Sequence, residues 1–138
     1  MRAMIFRSYG GVEKLEAVDL SVPVPGPGQV LVRVLASSVN PVDWKRASGK
    51  MRLIMPVKFP CVPGFDVAGV VAEVGAGVTE LAAGDRVHAR IKEGGGGASA
   101  EFAVAGVDVT VKIPAGMPAG EAAGLPREIA TRLAAQTV

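Results

Sequence analysis

The stretch from Pro60 to Val87, PCVPGFDVAGVVAEVGAGVTELAAGDRV, restricts the fold more than any other part of the chain. Pro60, Pro63 and Gly64 fix a turn, and a β-branched run from Val67 to Val74 follows, broken only by small residues and Glu73. Two heavy atoms on Cβ crowd a helical turn but pack well on a pleated surface, so this run is read as a strand. Gly75 and Gly77 punctuate it, and Gly84-Asp85 turns the chain into a further apolar strand. Strand, turn, strand with buried valines is the local reading.

The flanking sequence repeats that grammar. Met4 to Phe6 is a short apolar run turned by Tyr9-Gly10-Gly11, and Leu15 to Val22 is a second strand with imperfect alternation. Pro23-Val24-Pro25-Gly26-Pro27-Gly28 excludes helix and central strand, because three prolines remove three backbone donors and fix φ. Gln29 to Val39 alternates, with Val30, Val32 and Val34 on one face and Leu31, Arg33 and Leu35 on the other. Asn40-Pro41 then opens a short helix, Val42 to Ser48, that Gly49 ends. The loop from Lys50 to Val62 carries Met51, Leu53, Ile54, Met55, Val57 and Phe59, and so either folds over the core or lines a cleft. Arg86 to Ile91, Ala98 to Ala105 and Thr110 to Ile113 are the last strands, stopped by Pro114-Ala115-Gly116. Pro126 begins a helix with Ile129, Ala130, Leu133 and Ala134 on one face. The chain is expected to be mainly β, with short helices and a helical tail.

Composition bounds the function. A chain of 138 residues fits one domain with a real core, and 49% hydrophobic content supplies it, mostly as Val and Ala. A net charge of +2, with one Trp and one Tyr, argues against nucleic acid or an anionic membrane as partner. The single Cys61 excludes an internal disulfide framework. Met1 leads into a strand pattern rather than a signal peptide, and no apolar run approaches the ~20 residues of a membrane helix. A cytoplasmic protein is expected.

Candidate sites are few. Gly75-Ala76-Gly77 begins a G-x-G-x-x-G pattern, but Glu80 occupies its third glycine position and would repel a pyrophosphate, so a hairpin turn is the better reading. Gly94 to Gly97 could form an anion-binding nest but lacks the Lys-Ser/Thr of a phosphate loop. Cys61 and His88 cannot supply the three or four ligands zinc takes; Cys61 reads as a small buried hydrophobe and His88 as structural. The richest polar segment is Val39-Asn40-Pro41-Val42-Asp43-Trp44-Lys45. Asn40 and Asp43 stand three apart at a helix start, either as a cap with a first-turn acid or as a cluster facing a ligand.

Taken together, QVLVRV (Gln29 to Val34), VNPVDWK (Val39 to Lys45), PGFDVAGVV (Pro63 to Val71), GDRV (Gly84 to Val87) and the glycine-rich run ending in AEF (Gly94 to Phe102) resemble a known family. It is the N-terminal domain of the medium-chain dehydrogenases/reductases, in the zinc-free quinone oxidoreductase and enone reductase branch. The resemblance implies a GroES-like, partly open β-barrel as a catalytic-side domain over residues 1–126, and a helical tail, 127–138, leading toward a Rossmann domain. The zinc-binding branch has Cys near Ser37 or Ser38 and Gly-His-Glu where Gly64-Phe65-Asp66 stands here. In the zinc-free branch, NADPH delivers hydride to a quinone or an α,β-unsaturated carbonyl. By resemblance, Asn40 and Asp43 sit near the nicotinamide and substrate, Thr131 helps hold the nicotinamide end, and Trp44 and Phe65 wall the cleft. Arg127-Glu128-Ile129 depart from the family's small apolar residues there, and the 138 residues end before any βαβ unit with its glycine fingerprint. The rival implication is a free-standing GroES-like binding module that forms a homodimer through the Met51 to Phe59 loop and the Ile129/Leu133 face.

Overall fold

A computed structural model describes residues 1–92 and 97–125. Among the described residues there are seven strands: β1 (Arg2–Phe6), β2 (Leu15–Asp19), β3 (Gln29–Ser38), β4 (Asp66–Val74), β5 (Arg86–Arg90), β6 (Phe102–Gly106) and β7 (Thr110–Lys112). Two short helices accompany them, α1 (Pro41–Ala47) and α2 (Ala119–Ala123). β1 and β2 form an antiparallel ribbon, and the other five form an antiparallel sheet in the order β6-β3-β4-β5-β7. The sheet curls into a half-barrel, the mainly β, GroES-like, partly open form that the resemblance implies.

The valine runs build the core. Val30, Val32, Val67, Val71 and Val87 are buried together with Leu81 and Ile91 on one face of the sheet. The opposite face is covered by α2, whose Ala122 and Ala123 pack with Ala68 and Ile113. β4 therefore lies between two packed layers, and Asp66, Val67, Ala68 and Gly69 are buried in succession.

Alternation along β3 holds from Val30 through Val32 to Val34, all in the valine core, and breaks only after Val34. Val30, Leu31 and Val32 are all buried, and the β3–β4 register shifts between Leu31 and Val32 and again between Val34 and Ala36. Each shift is a bulge that redirects side chains. Val34 packs with the valine core, whereas Ala36 faces α2. Gly69 lies against the second bulge: a Cβ there would sit 2.1 Å from the Arg33 carbonyl oxygen.

Three further findings go beyond the expectations, two of them as corrections. The stretch Ala98 to Ala105 is not one strand; its first part turns to β1, where Ala3 bridges Ala100 and Met4 N–H donates to the Ser99 carbonyl at 2.8 Å. A helix forms before Pro126, since Pro118 starts α2 and Gly124 caps it. The expected helix from Pro126, with Ile129 and Leu133, lies outside the described residues. Third, Gly75-Ala76-Gly77 is no two-strand hairpin turn. Gly75 N–H donates to the Gln29 carbonyl at 2.8 Å and Ala76 accepts from Gly28 N–H at 2.9 Å, which staples the end of β4 to the proline-rich segment.

At Gly75 a Cβ would stand 1.9 Å from the Gly26 carbonyl oxygen. Gly75→Ala is expected to cost about 1–3 kcal/mol, the range for overpacking a filled site. At Gly120, inside α2, a Cβ would meet nothing within 4 Å. Gly120→Ala is expected to stabilise by about 0.5–1 kcal/mol. Urea unfolding midpoints at constant slope check both, and a harmless Gly75→Ala would refute the close approach.

Candidate functional site

The β3–β4 ladder ends with Ser38 opposite Asp66, and the site grows from that end. Beyond Ser38 the chain stays extended through Asn40 and enters α1 at Pro41. The Asn40 amide Nδ2 donates to Asp66 Oδ2 at 2.6 Å and to Ser38 Oγ at 3.3 Å. The Asn40 backbone N–H donates to Asp43 Oδ2 at 2.7 Å, and Asp43 N–H donates to the Asn40 carbonyl at 2.9 Å. Of the two sequence alternatives, the cap with its first-turn acid is formed by both residues, while Asp43 alone lines the cavity described below.

Two buried carboxylates flank this asparagine, Asp43 at 8% and Asp66 at 7% exposure. Asp43 Oδ1 is buried with no hydrogen-bond partner. Burial pushes the Asp43 carboxyl above the usual aspartate range and the Asp66 charge adds to it, while the Asn40 and Gly64 N–H groups and the Arg90 charge oppose it. His88, on β5 opposite Ala68, has no exposure, and neither ring nitrogen has a partner. Burial lowers its pKa, partly offset by the Asp66 charge. His88 is therefore a core residue held neutral, as a structural role requires.

Phe65 is buried with two guanidiniums near its ring, Arg46 Cζ at 5.5 Å and Arg90 Cζ at 5.8 Å from the centroid. Arg90 also reaches Asp66, Nη1 to Oδ1 at 4.0 Å. A cavity of about 610 Å³ opens beside Phe65, and its walls include Phe6, Asp43, Arg46, Phe59 and Cys61. The Lys50 to Val62 loop forms one wall because β1 holds it: Phe6 and Cys61 exchange backbone hydrogen bonds at 2.8 and 2.9 Å. Tyr9 adds its hydroxyl, which accepts from Val57 N–H at 3.1 Å, and an edge-on contact with Phe59 at 4.9 Å.

The cavity brings Asp43 and Phe65 together. Asn40 is outside its wall and braces Asp43, while Trp44 is half-exposed on α1 with Lys45 and Lys50 ammonium groups 5.7 and 5.1 Å from its ring. Thr131 lies outside the described residues. Cys61 is half-buried in the cavity wall rather than fully buried, and burial raises its thiol pKa. Gly97 is closely packed, a Cβ there falling 2.1 Å from the Val62 carbonyl oxygen. Among the described residues, no group of three or more His, Cys, Asp or Glu could hold a metal ion, and no helix is long and apolar enough to cross a membrane.

Sequence reasoning missed Arg46 and Lys58 as cavity residues, whereas Phe59 stands on the loop that it read as folding over the core or lining a cleft. One signal was available: Lys45, Arg46, Lys50, Arg52 and Lys58 fall between Trp44 and Phe65 without a single intervening acid.

A curled antiparallel sheet with a capped helix at the β3 end and a cavity beside it defines a GroES-like domain of the dehydrogenase/reductase kind. Residues 26–115 match the alcohol dehydrogenase GroES-like domain, and the chain belongs to that family. It is 49% identical over 138 residues to the chloroplast envelope quinone oxidoreductase homolog of Arabidopsis thaliana, covering 99% of this chain and 42% of that protein. It is 39% identical over 139 residues to the chloroplastic NADPH-dependent alkenal/one oxidoreductase of the same plant, covering 95% of this chain and 36% of the relative. Among solved structures, Escherichia coli quinone oxidoreductase complexed with NADPH superposes with a TM-score of 0.80 at 30% identity, over 89% of this chain and 36% of that one. The chain thus spans about two-fifths of the length of the curated relatives it matches.

These relatives overturn the cytoplasmic expectation, since both plant proteins are named for the chloroplast or its envelope. The inference failed because a lone cysteine and a mild net charge suit any reducing compartment equally.

Because His88 is buried neutral while the unfolded residue protonates below about pH 6.5, the folded state should lose stability as pH falls through that value. Asp43 acts in the opposite sense, its protonated form favouring the fold below its raised pKa. Urea unfolding at about pH 7.5 and 5.5 should show a fall for the wild type and a flatter response for His88→Leu. Equal pH slopes in the two proteins would contradict this account.

Proposed function

We propose that residues 1–126 form the catalytic-side domain of an NADPH-dependent oxidoreductase that reduces quinones or α,β-unsaturated carbonyls by hydride transfer without zinc. The observation that carries the reading is the buried Asp43, with one oxygen unpartnered, set beside Phe65 at a cavity of about 610 Å³. That volume lies within the usual range for small-molecule sites. Support for the chemistry comes from relatives named as quinone and alkenal oxidoreductases. The position that carries a zinc-ligating His in the metal-binding branch is Phe65, which offers no ligand atom.

The residues present fit a nicotinamide at the first turn of α1. Asp43 lines the cavity with its carboxylate held by the Asn40 N–H, and a carboxylate so placed accepts from a carboxamide N–H. NADPH, when bound, supplies the hydride. Asn40 fixes the Asp43 carboxylate through its backbone N–H while its own amide is anchored on Asp66, so the acceptor is preorganised. Phe65 gives a flat wall for a planar substrate, and Trp44 flanks the same helix at the surface. Thr131 is proposed at the nicotinamide end on the resemblance alone. The 138 residues contain no dinucleotide fingerprint, so this chain by itself is expected to bind NADPH weakly.

The test is NADPH oxidation by the whole protein that carries this sequence, with a simple quinone and an enone as acceptors. Asp43→Asn keeps an acceptor for the Asn40 N–H, so α1 should persist while kcat/KM drops by about tenfold to a hundredfold. No NADPH consumption with either acceptor, or full activity in Asp43→Asn, would overturn the assignment.

A further inference from the structure

Arg46 is the least satisfied cation of the cavity. Its Nε is buried with no acceptor, and Nη2 has only the Pro56 carbonyl, at 3.5 Å, the weak limit of a hydrogen bond. No carboxylate of the described residues forms an ion pair with it. Its guanidinium lies over Phe65, in the cavity wall, and its charge is felt by the Cys61 thiol. Nε is closed to the cavity, so an acceptor there meets the Nη edge of the guanidinium, which the protein holds only by that one weak bond. Lys58, exposed on the opposite loop and also lining the cavity, has no ion-pair partner among the described residues. The remaining cation of the wall, Lys92, is already paired with Asp108 at 2.6 Å. Among the described residues Asp43 is the only acid in the lining, and the Asn40 N–H occupies one of its oxygens.

We propose that Arg46 and Lys58 form an anion-recognition end of this cavity, which receives the carboxylate of an otherwise apolar enone or quinone. A carboxylate is planar and singly charged, and so matches one guanidinium fork and one ammonium. Phe6, Phe59 and Phe65 receive the apolar body of the same molecule. The inference rests on reading this cavity as the substrate site, and it adds that the site selects acids over their neutral esters.

Binding to the full 138-residue chain tests it without NADPH or turnover. The probes are para-carboxybenzylideneacetone, its methyl ester and benzylideneacetone, titrated by calorimetry or by NMR shift changes. The acid should bind about tenfold more tightly than the ester, and raising salt to about 0.5 M should erase most of that preference. Arg46→Gln should bring acid and ester within about twofold of each other, with ester affinity unchanged. Lys58→Gln, at an exposed position that folding does not need, should reduce the preference by about threefold. Equal binding of acid and ester by the wild type, or a preference that survives both substitutions, would overturn the inference. Acid-selective binding in a whole protein that reduces no enone would leave this site standing and refute the reductase reading instead. Reduction of neutral enones without acid selectivity would do the reverse.

Discussion

The register that sets Ser38 against Asp66 is the constraint on which the rest of the molecule turns. Asn40 reaches Asp66 only because β3 ends there, two residues before the helix begins. That endpoint depends on the bulge between Val34 and Ala36, since slipping a strand by one residue sends every side chain to the other face. Gly69 makes the bulge possible by letting the Arg33 carbonyl approach. A backbone feature in the middle of the sheet thus decides which side chains meet at its edge.

The cavity depends on a second backbone contact, between β1 and the loop after α1. Phe6 and Cys61 form an isolated pair, and Gly97 fits against the Val62 and Pro63 carbonyls on the other side. The loop is therefore clamped at its far end while its tip is free, with Leu53 94% and Ile54 80% exposed. This resolves the choice left open by its composition. Val57 and Phe59 line the cavity, and the two aliphatic residues before them stand in solvent.

Much of the sheet was legible because its signals are local. Runs such as Val30 to Val34 and Val67 to Val74 announce strands wherever they stand, and Asn40-Pro41 announces a helix start. What alternation could not reveal was the bulges, which arise from pairing between distant strands. The helix α2 was overlooked because Ala119–Ala123 is too short for a periodic signal and forms only by packing its alanines on Ala68. Ala98 to Ala105 divides between two partners, β1 and β3, for the same non-local reason. At the site, the Asn40–Asp43 helix cap was legible from its spacing, but the place of Arg46 in the cavity wall was not. A net charge of +2 averages away the acid-free stretch around Arg46, so the overall value concealed a local field.

Stability gives no reason for what sits at the end of β3. Two carboxylates are almost fully buried there, one with an oxygen left without a partner, and a neutral histidine with two unpartnered nitrogens lies on the neighbouring strand. Desolvating such groups costs more than the few hydrogen bonds around Asn40 return, and apolar replacements of similar volume would pack as well. One asparagine nonetheless joins both acids, through its amide on one side and its backbone N–H on the other. Such an arrangement holds the Asp43 carboxylate in place in the cavity wall. Perturbed, over-braced groups of this kind concentrate where chemistry is done rather than where cores are built. The packed valine sheet supplies the stability that this polar end lacks.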